Sequence, residues 1–138
     1  MKHWQRITFF AAALTLAAPA AVADSCPNLL GSWNVTSESA AYDVGPPVYT
    51  AFVSSTGVLT VYDQRSCLFL ARYQRTDEVE PEQWLTGAIG PSGGLTLTGS
   101  STLARGNLVG RSRMEVVVSD FPPGGGTINT SLAVATRL

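Results

Sequence analysis

The stretch LGSWNVTSES, residues 30–39, opens the region that determines the fold. Gly31 comes just before a predicted strand, residues 32–37, in which Trp33 and Val35 share one face and polar residues occupy the other. Alternation with a period of two is typical of a strand that buries one face. The first predicted element is therefore a strand that begins beside a tryptophan.

The same alternation recurs to the end of the chain, separated by Gly-rich and Pro-rich turns, and no segment shows a helical period. The further predicted strands cover residues 48–54, 58–63, 67–75, 83–89, 95–100, 107–110, 113–119 and 127–136, and residues 39–47 are predicted to be the longest irregular region. Short connections favour antiparallel neighbours, as in a β-sandwich or an up-and-down barrel. A barrel of eight strands leaves no free edge and encloses room for side chains or one small ligand.

Gly31-Ser32-Trp33 resembles the G-x-W opening of the calycins, the lipocalin and avidin type of barrel. The resemblance extends to LTGAI, residues 85–89, and LAVATR, residues 132–137, which look like a group of bacterial calycin-like proteins. It implies an all-β fold, a single up-and-down antiparallel barrel of eight or nine strands. It also implies that Trp33 closes one end of the barrel and that Arg137 packs over its ring, a cation–π contact. Biotin binding is not implied, because the later tryptophan-rich strands of avidins are absent.

Residues 1–23 have the three parts of a secretory signal peptide. Lys2 and Arg6 precede an apolar run, residues 7–18, and small residues end at Ala23. That run is shorter than the roughly 20 residues that span a bilayer, so a stable membrane span is the weaker interpretation. We expect a signal-peptide helix that is cleaved after Ala23.

The mature chain, residues 24–138, is then one barrel domain with a periplasmic or secreted location. Cys26 and Cys67 are the two cysteines of the chain, and an even count in an exported protein predicts a disulfide bond. Lipid anchoring at Cys26 is the weaker interpretation, because Asp24 fits a lipoprotein signal poorly.

Cleavage removes His3 and Lys2, the only histidine and lysine of the chain. The mature domain is therefore predicted to lack a Ser-His-Asp triad, a Cys-His pair, a histidine metal site and Schiff-base chemistry. The domain has slightly more acidic than basic residues, so its sequence does not predict the positively charged surface with which proteins bind nucleic acid. We predict no cofactor and no metal.

Aromatic residues are candidates for lining a cavity mouth, with core packing as the alternative. The candidate ligand-binding residues of this kind are Tyr49, Tyr62, Tyr73 and Trp84. Trp84 alternates with Thr86 and Ala88, and this mixture of large and small residues predicts an interior face. Pockets are usually apolar with a few polar groups, which suits such a set.

Charged residues form two further candidates. Arg111 and Arg113 could hold a carboxylate or phosphate if their strand face points inward, whereas an outward face would carry ordinary ion pairs. An acidic run contains Asp77, Glu78, Glu80 and Glu82. Its oxygens could bind calcium, but it lacks the spacing of a calcium loop, and we predict a solvated turn.

Three functions are consistent with these patterns. The first is a non-enzymatic exported barrel that binds a small apolar ligand or a secreted or periplasmic protein. The second is an inhibitor of a secreted protease or lysozyme, because GLTLT, residues 94–98, is similar to a strand of periplasmic metalloprotease inhibitors. The third is a small barrel enzyme that uses carboxylate or tyrosine chemistry. The sequence does not determine the oligomeric state.

Overall fold

The computed structural model describes residues 26–43, 49–121 and 127–138. Eight antiparallel strands form a closed barrel in which each strand pairs with the next and the last pairs with the first. The strands are β1 (Gly31–Asp43), β2 (Tyr49–Arg65), β3 (Leu68–Arg75), β4 (Gln83–Ile89), β5 (Gly94–Thr98), β6 (Thr102–Val109), β7 (Arg113–Asp120) and β8 (Thr127–Arg137). The all-β, up-and-down antiparallel barrel is confirmed, with eight strands. The predicted signal peptide lies outside the described residues.

Three predicted boundaries are wrong. β6 begins at Thr102, well before the strand predicted over residues 107–110, and Gly106 lies within it rather than in a turn. The predicted irregular region begins at Ser39, but β1 continues to Asp43 and pairs with both neighbours over that length. Residues 48–54 and 58–63 were expected to be separate strands, but β2 runs through Gly57 without a turn. A Cβ atom at Gly57 would lie 2.5 Å from the ring of Tyr73 on β3, so this glycine makes room for an aromatic ring.

The faces of β4 are reversed relative to the prediction. Leu85, Gly87 and Ile89 are buried, and Trp84 is 59% exposed on the outer face that it shares with Thr86. The interior side lacks a side chain at Gly87 because the Phe69 ring of β3 lies over this position. Alternation identifies which residues share a face, but it does not determine which face is inside.

The barrel is closed at one end by the segment that precedes β1. Leu29 and Trp33 are both fully buried there, and the Trp33 Nε1 atom donates a hydrogen bond of 2.9 Å to the Leu29 carbonyl oxygen. The Arg137 guanidinium carbon lies 5.6 Å from the centroid of the Trp33 ring. Arg137 also donates hydrogen bonds to the carbonyl oxygens of Asn28, at 3.1 Å, and Leu30, at 2.7 Å. One arginine from the last strand thus fixes both the tryptophan and the segment that covers it.

Two side chains of the β2–β3 corner hold the same segment. Cys26 forms a disulfide bond with Cys67, which confirms the predicted bridge. Gln64 accepts a hydrogen bond from the Leu29 amide at 2.7 Å and donates one to the Pro27 carbonyl oxygen at 2.9 Å. The closed end is therefore cross-linked covalently and by hydrogen bonds.

Candidate functional site

A cavity of about 500 Å³ lies inside the barrel above the closed end. This volume lies within the range of about 300 to 1,000 Å³ that is usual for small-molecule sites. The deep wall is apolar and includes Val35, Leu59, Leu85, Leu97, Met114 and Val116. The opposite end, which we call the mouth, is where β3 ends at Arg75 and β7 ends at Asp120. The cavity reaches solvent there beside Gln83, which is exposed.

Hydroxyl groups line the wall between the apolar part and the mouth. Ser37 and Ser55 form a cross-strand hydrogen bond of 2.6 Å between β1 and β2, and Ser39 and Ser131 form another of 2.6 Å between β1 and β8. A hydroxyl has one donor and two acceptor positions, so each pair keeps hydrogen-bonding capacity for a ligand. The cavity is thus apolar at its base and polar near its opening.

Arg75 organises the acidic run at the mouth. It binds Asp77 through two hydrogen bonds, of 3.1 and 2.9 Å, and forms ion pairs with Glu78 at 3.0 Å and Glu80 at 3.1 Å. The guanidinium holds the pKa of the Asp77 carboxyl below its usual range, and that hydrogen bond raises the pKa of Arg75. An arginine therefore occupies the position between these carboxylates that the calcium hypothesis gave to a metal ion.

The remaining acid of that run lies apart from this group. Glu82 pairs with Arg72 at 3.4 Å, and both side chains are partly exposed. In the part of the chain that the structure describes, no three His, Cys, Asp or Glu side chains are grouped so that they could hold a metal ion.

Tyr73 lines the cavity just below Arg75 on β3. Burial raises its pKa above the ordinary value of 10, and the nearby Arg75 charge opposes this effect. The phenol is therefore neutral at physiological pH and can donate or accept a hydrogen bond at the cavity wall.

Titration of Tyr73 provides a test of its burial. Because the folded state favours the neutral phenol, it binds more protons than the unfolded state above pH 10. The contribution to stability is fully present below about pH 10, the ordinary tyrosine pKa, and is lost as the pH rises through the folded pKa. We expect the absorbance titration of the wild type at 295 nm to contain a component above the ordinary tyrosine range, and Tyr73→Phe to remove it. Survival of that component in Tyr73→Phe would contradict the assignment.

The four other candidate residues whose side chains are described lie away from the cavity. Tyr62 and Trp84 lie on the outer face, in an edge-to-face contact with ring centroids 5.7 Å apart. Arg113 projects outward and pairs with Glu115 at 2.7 Å, as in the outward alternative. Arg111 is exposed in the turn between β6 and β7. Tyr49 begins β2 at the mouth, and its side chain is not among those described.

Four polar residues of the wall are not among the predicted site residues, which were aromatic side chains and arginines. They are Ser37, Ser39, Ser131 and Asp120, and all of them line the cavity. The signal for the first two was present in β1, because a buried Trp33 places every second residue after it on the inner face. No local sequence pattern indicates that Asp120 lines the cavity. Its position follows only from the register of the strands in the closed barrel.

No family model matches the chain, and no curated protein matches it.

Within the described ranges, no helix has the length and apolar character needed to cross a membrane. The fold is compatible with a calycin-like barrel.

Proposed function

We propose that this protein is an exported, non-enzymatic, calycin-like barrel that binds a small amphipathic molecule. The observation that supports it best is the cavity of about 500 Å³, which is closed at its base by Leu29 and Trp33. The apolar part of the ligand would lie against residues such as Leu59 and Met114, and its polar part would face the serine pairs. Burial of apolar ligand surface provides the driving force, at roughly 25 cal/mol per Å².

Three titratable groups at the mouth, Tyr73, Arg75 and Asp77, favour binding over catalysis. A general acid or base works best when its pKa lies near the operating pH. Here the environment moves each pKa further from neutral pH: the pKa of Tyr73 is raised, the pKa of Asp77 is lowered and the pKa of Arg75 is raised. Each of these groups therefore keeps one protonation state near neutral pH.

Filling the cavity tests the proposal. Ala133 lies at mid-depth, with Ser37 and Val116 as its cross-strand partners, and it is 6% exposed. We expect the protein to bind N-phenyl-1-naphthylamine, an uncharged fluorophore whose emission rises in apolar surroundings. In Ala133→Phe the added ring would occupy the ligand's space, and the affinity should fall at least tenfold, which corresponds to about 1.4 kcal/mol.

The matched control is the next residue along β8. Leu132 is 65% exposed on the outer face, so Leu132→Phe adds a ring of the same kind outside the barrel. Its fluorophore affinity should equal that of the wild type, and thermal unfolding should show that both variants are folded. Equal loss of binding in the two variants, or no binding to the wild type, would contradict a ligand in the cavity.

The export part of the proposal rests on the signal-like residues 1–23 and on the disulfide bond, since such bonds persist in oxidising compartments. Expression of the full chain in a bacterium with a secretory pathway should yield extracytoplasmic protein that begins at Asp24. N-terminal sequencing of that protein checks this, and retention of Met1 would contradict it.

A further inference from the structure

We infer that the polar end of the ligand is a protonated primary amine, which binds at Asp120 in the mouth. The inference rests on the proposed function, because it assigns a chemical class to the ligand of the same cavity. Three observations support it: the environment of Asp120, the environment of its neighbour Asn129, and the distribution of charge around the mouth.

Asp120 is a carboxylate on the cavity wall whose described partner is a hydroxyl. It ends β7 and lines the cavity, and it accepts a hydrogen bond of 2.6 Å from the Thr102 hydroxyl. None of the ion pairs among the described residues involves it. An ionised carboxylate offers about four lone-pair positions, so one hydroxyl leaves most of its accepting capacity for a ligand.

Asn129 stands directly opposite Asp120 in the pairing of β7 and β8, and it also lines the cavity. Its Oδ1 atom is buried and has no hydrogen-bond partner among the described residues. A buried acceptor without a donor is unfavourable. Rotation of the Asn129 amide towards a bound N–H group would satisfy it, and an ammonium group carries three such donors.

The charge at the mouth disfavours an anionic ligand. Arg75 stands on β3, on the opposite side of an eight-stranded barrel from β7, and three carboxylates already surround it. In the sequence, residues 44–48, between β1 and β2, and residues 122–126, between β7 and β8, contain no charged residue. Among the described side chains that meet at the mouth, the carboxylates of Asp77, Glu78, Glu80 and Asp120 outnumber the Arg75 guanidinium, and Arg72 is matched by Glu82. The resulting negative potential attracts a cation to the opening.

A head-group series tests the inference. Octylamine, octanol and octanoate share one alkyl chain and differ in the charge and donors of the polar end. In displacement of N-phenyl-1-naphthylamine at pH 7, we expect octylamine to act at a concentration at least tenfold lower than octanol, because charge-assisted hydrogen bonds are the stronger ones. Octanoate should be weaker than octanol.

Two variants test whether Asp120 is the residue that gives octylamine its advantage. Asp120→Asn keeps an oxygen for the Thr102 hydroxyl but removes the charge, so the advantage of octylamine over octanol should disappear while the affinity for octanol stays unchanged. Asp63→Asn removes the same charge from the outer surface, beside the groove that includes Leu68 and Thr86, and it should keep the advantage.

The outcomes separate the two proposals. Displacement by octanol without any preference for octylamine, or a preference for octanoate, would overturn the amine and leave the cavity function standing. A preference that survives in Asp120→Asn would overturn Asp120 as the contact. Failure of the wild type to bind the fluorophore or any of the three compounds would overturn the proposed function itself.

Discussion

Replacing Trp33 with alanine is expected to lower the free energy of unfolding by about 4 to 5 kcal/mol. Truncation of a buried tryptophan typically costs about 3 to 5 kcal/mol, because apolar burial is lost and a cavity remains. The full cost applies to Trp33, because its side chain is completely buried between the barrel and the segment that carries Leu29. The variant also loses the hydrogen bond to the Leu29 carbonyl oxygen and the stacking partner of Arg137.

Trp84 provides the matched control for this experiment. It has the same side chain but is 59% exposed on the outer face, where it contacts Tyr62. Trp84→Ala should cost about 1 kcal/mol or less. Urea unfolding followed by far-ultraviolet circular dichroism is the suitable measurement, because each variant removes a fluorophore. Similar losses in the two variants would contradict the role assigned to Trp33 at the closed end.

The double variant Cys26→Ala/Cys67→Ala should lose about 4 kcal/mol of stability. The bridge joins residues 41 positions apart, and in the chain-entropy model a cross-link of that span stabilises the fold by about 4 kcal/mol, because it restricts the unfolded chain. The enclosed chain includes the whole of β1 and β2, so reduction removes the covalent link of the segment that covers the base of the barrel and leaves its hydrogen bonds. Most domains are stable by only about 5 to 15 kcal/mol, so this loss is a large share of the total.

Reduction of the wild type serves as the comparison. Under dithiothreitol the wild-type protein should unfold at the urea concentration of the double variant, and the variant itself should not respond to the reductant. Hydrogen bonds from Gln64 and Arg137 still hold the segment in the variant, so we expect a folded barrel of lower stability. A wild type whose stability is unchanged on complete reduction would contradict the prediction.

Strand alternation predicts some elements well and others poorly, for identifiable reasons. The ends of β3, β4 and β7 agree with the predicted strands to within one residue. β2 differs because Thr56-Gly57 has the composition of a turn. The reason for this glycine is the Tyr73 ring on the neighbouring strand, a contact that no local pattern reveals.

The candidate site was harder to predict because some large apolar residues lie on the outside of this barrel and some small polar residues lie on its inside. Leu132 is 65% exposed and Phe52 is 92% exposed on the outside, whereas Ser131 is only 7% exposed on the inside. Small residues such as Ser131 and Ala133 leave the interior partly empty, and that space is the cavity. A large aromatic side chain is therefore a poor marker of the interior in this barrel: Tyr73 lines the cavity, but Tyr62 and Trp84 lie on the outer face.

A β-sandwich and a barrel both fit the pattern of residues along the chain, and the calycin resemblance of Gly31-Ser32-Trp33 favours the barrel. The pattern itself is sufficient for the all-β class and the disulfide bond. These properties follow from the pleat of the strand, which sends alternate side chains to opposite faces, and from the presence of two cysteines. Which face points inward was decided by closure, when β8 pairs with β1 and brings Arg137 beside Trp33. The cavity and the meeting of Asp120 with Asn129 have the same origin. They depend on register between distant strands and on how completely the inward side chains fill the enclosed volume, and neither quantity is encoded locally.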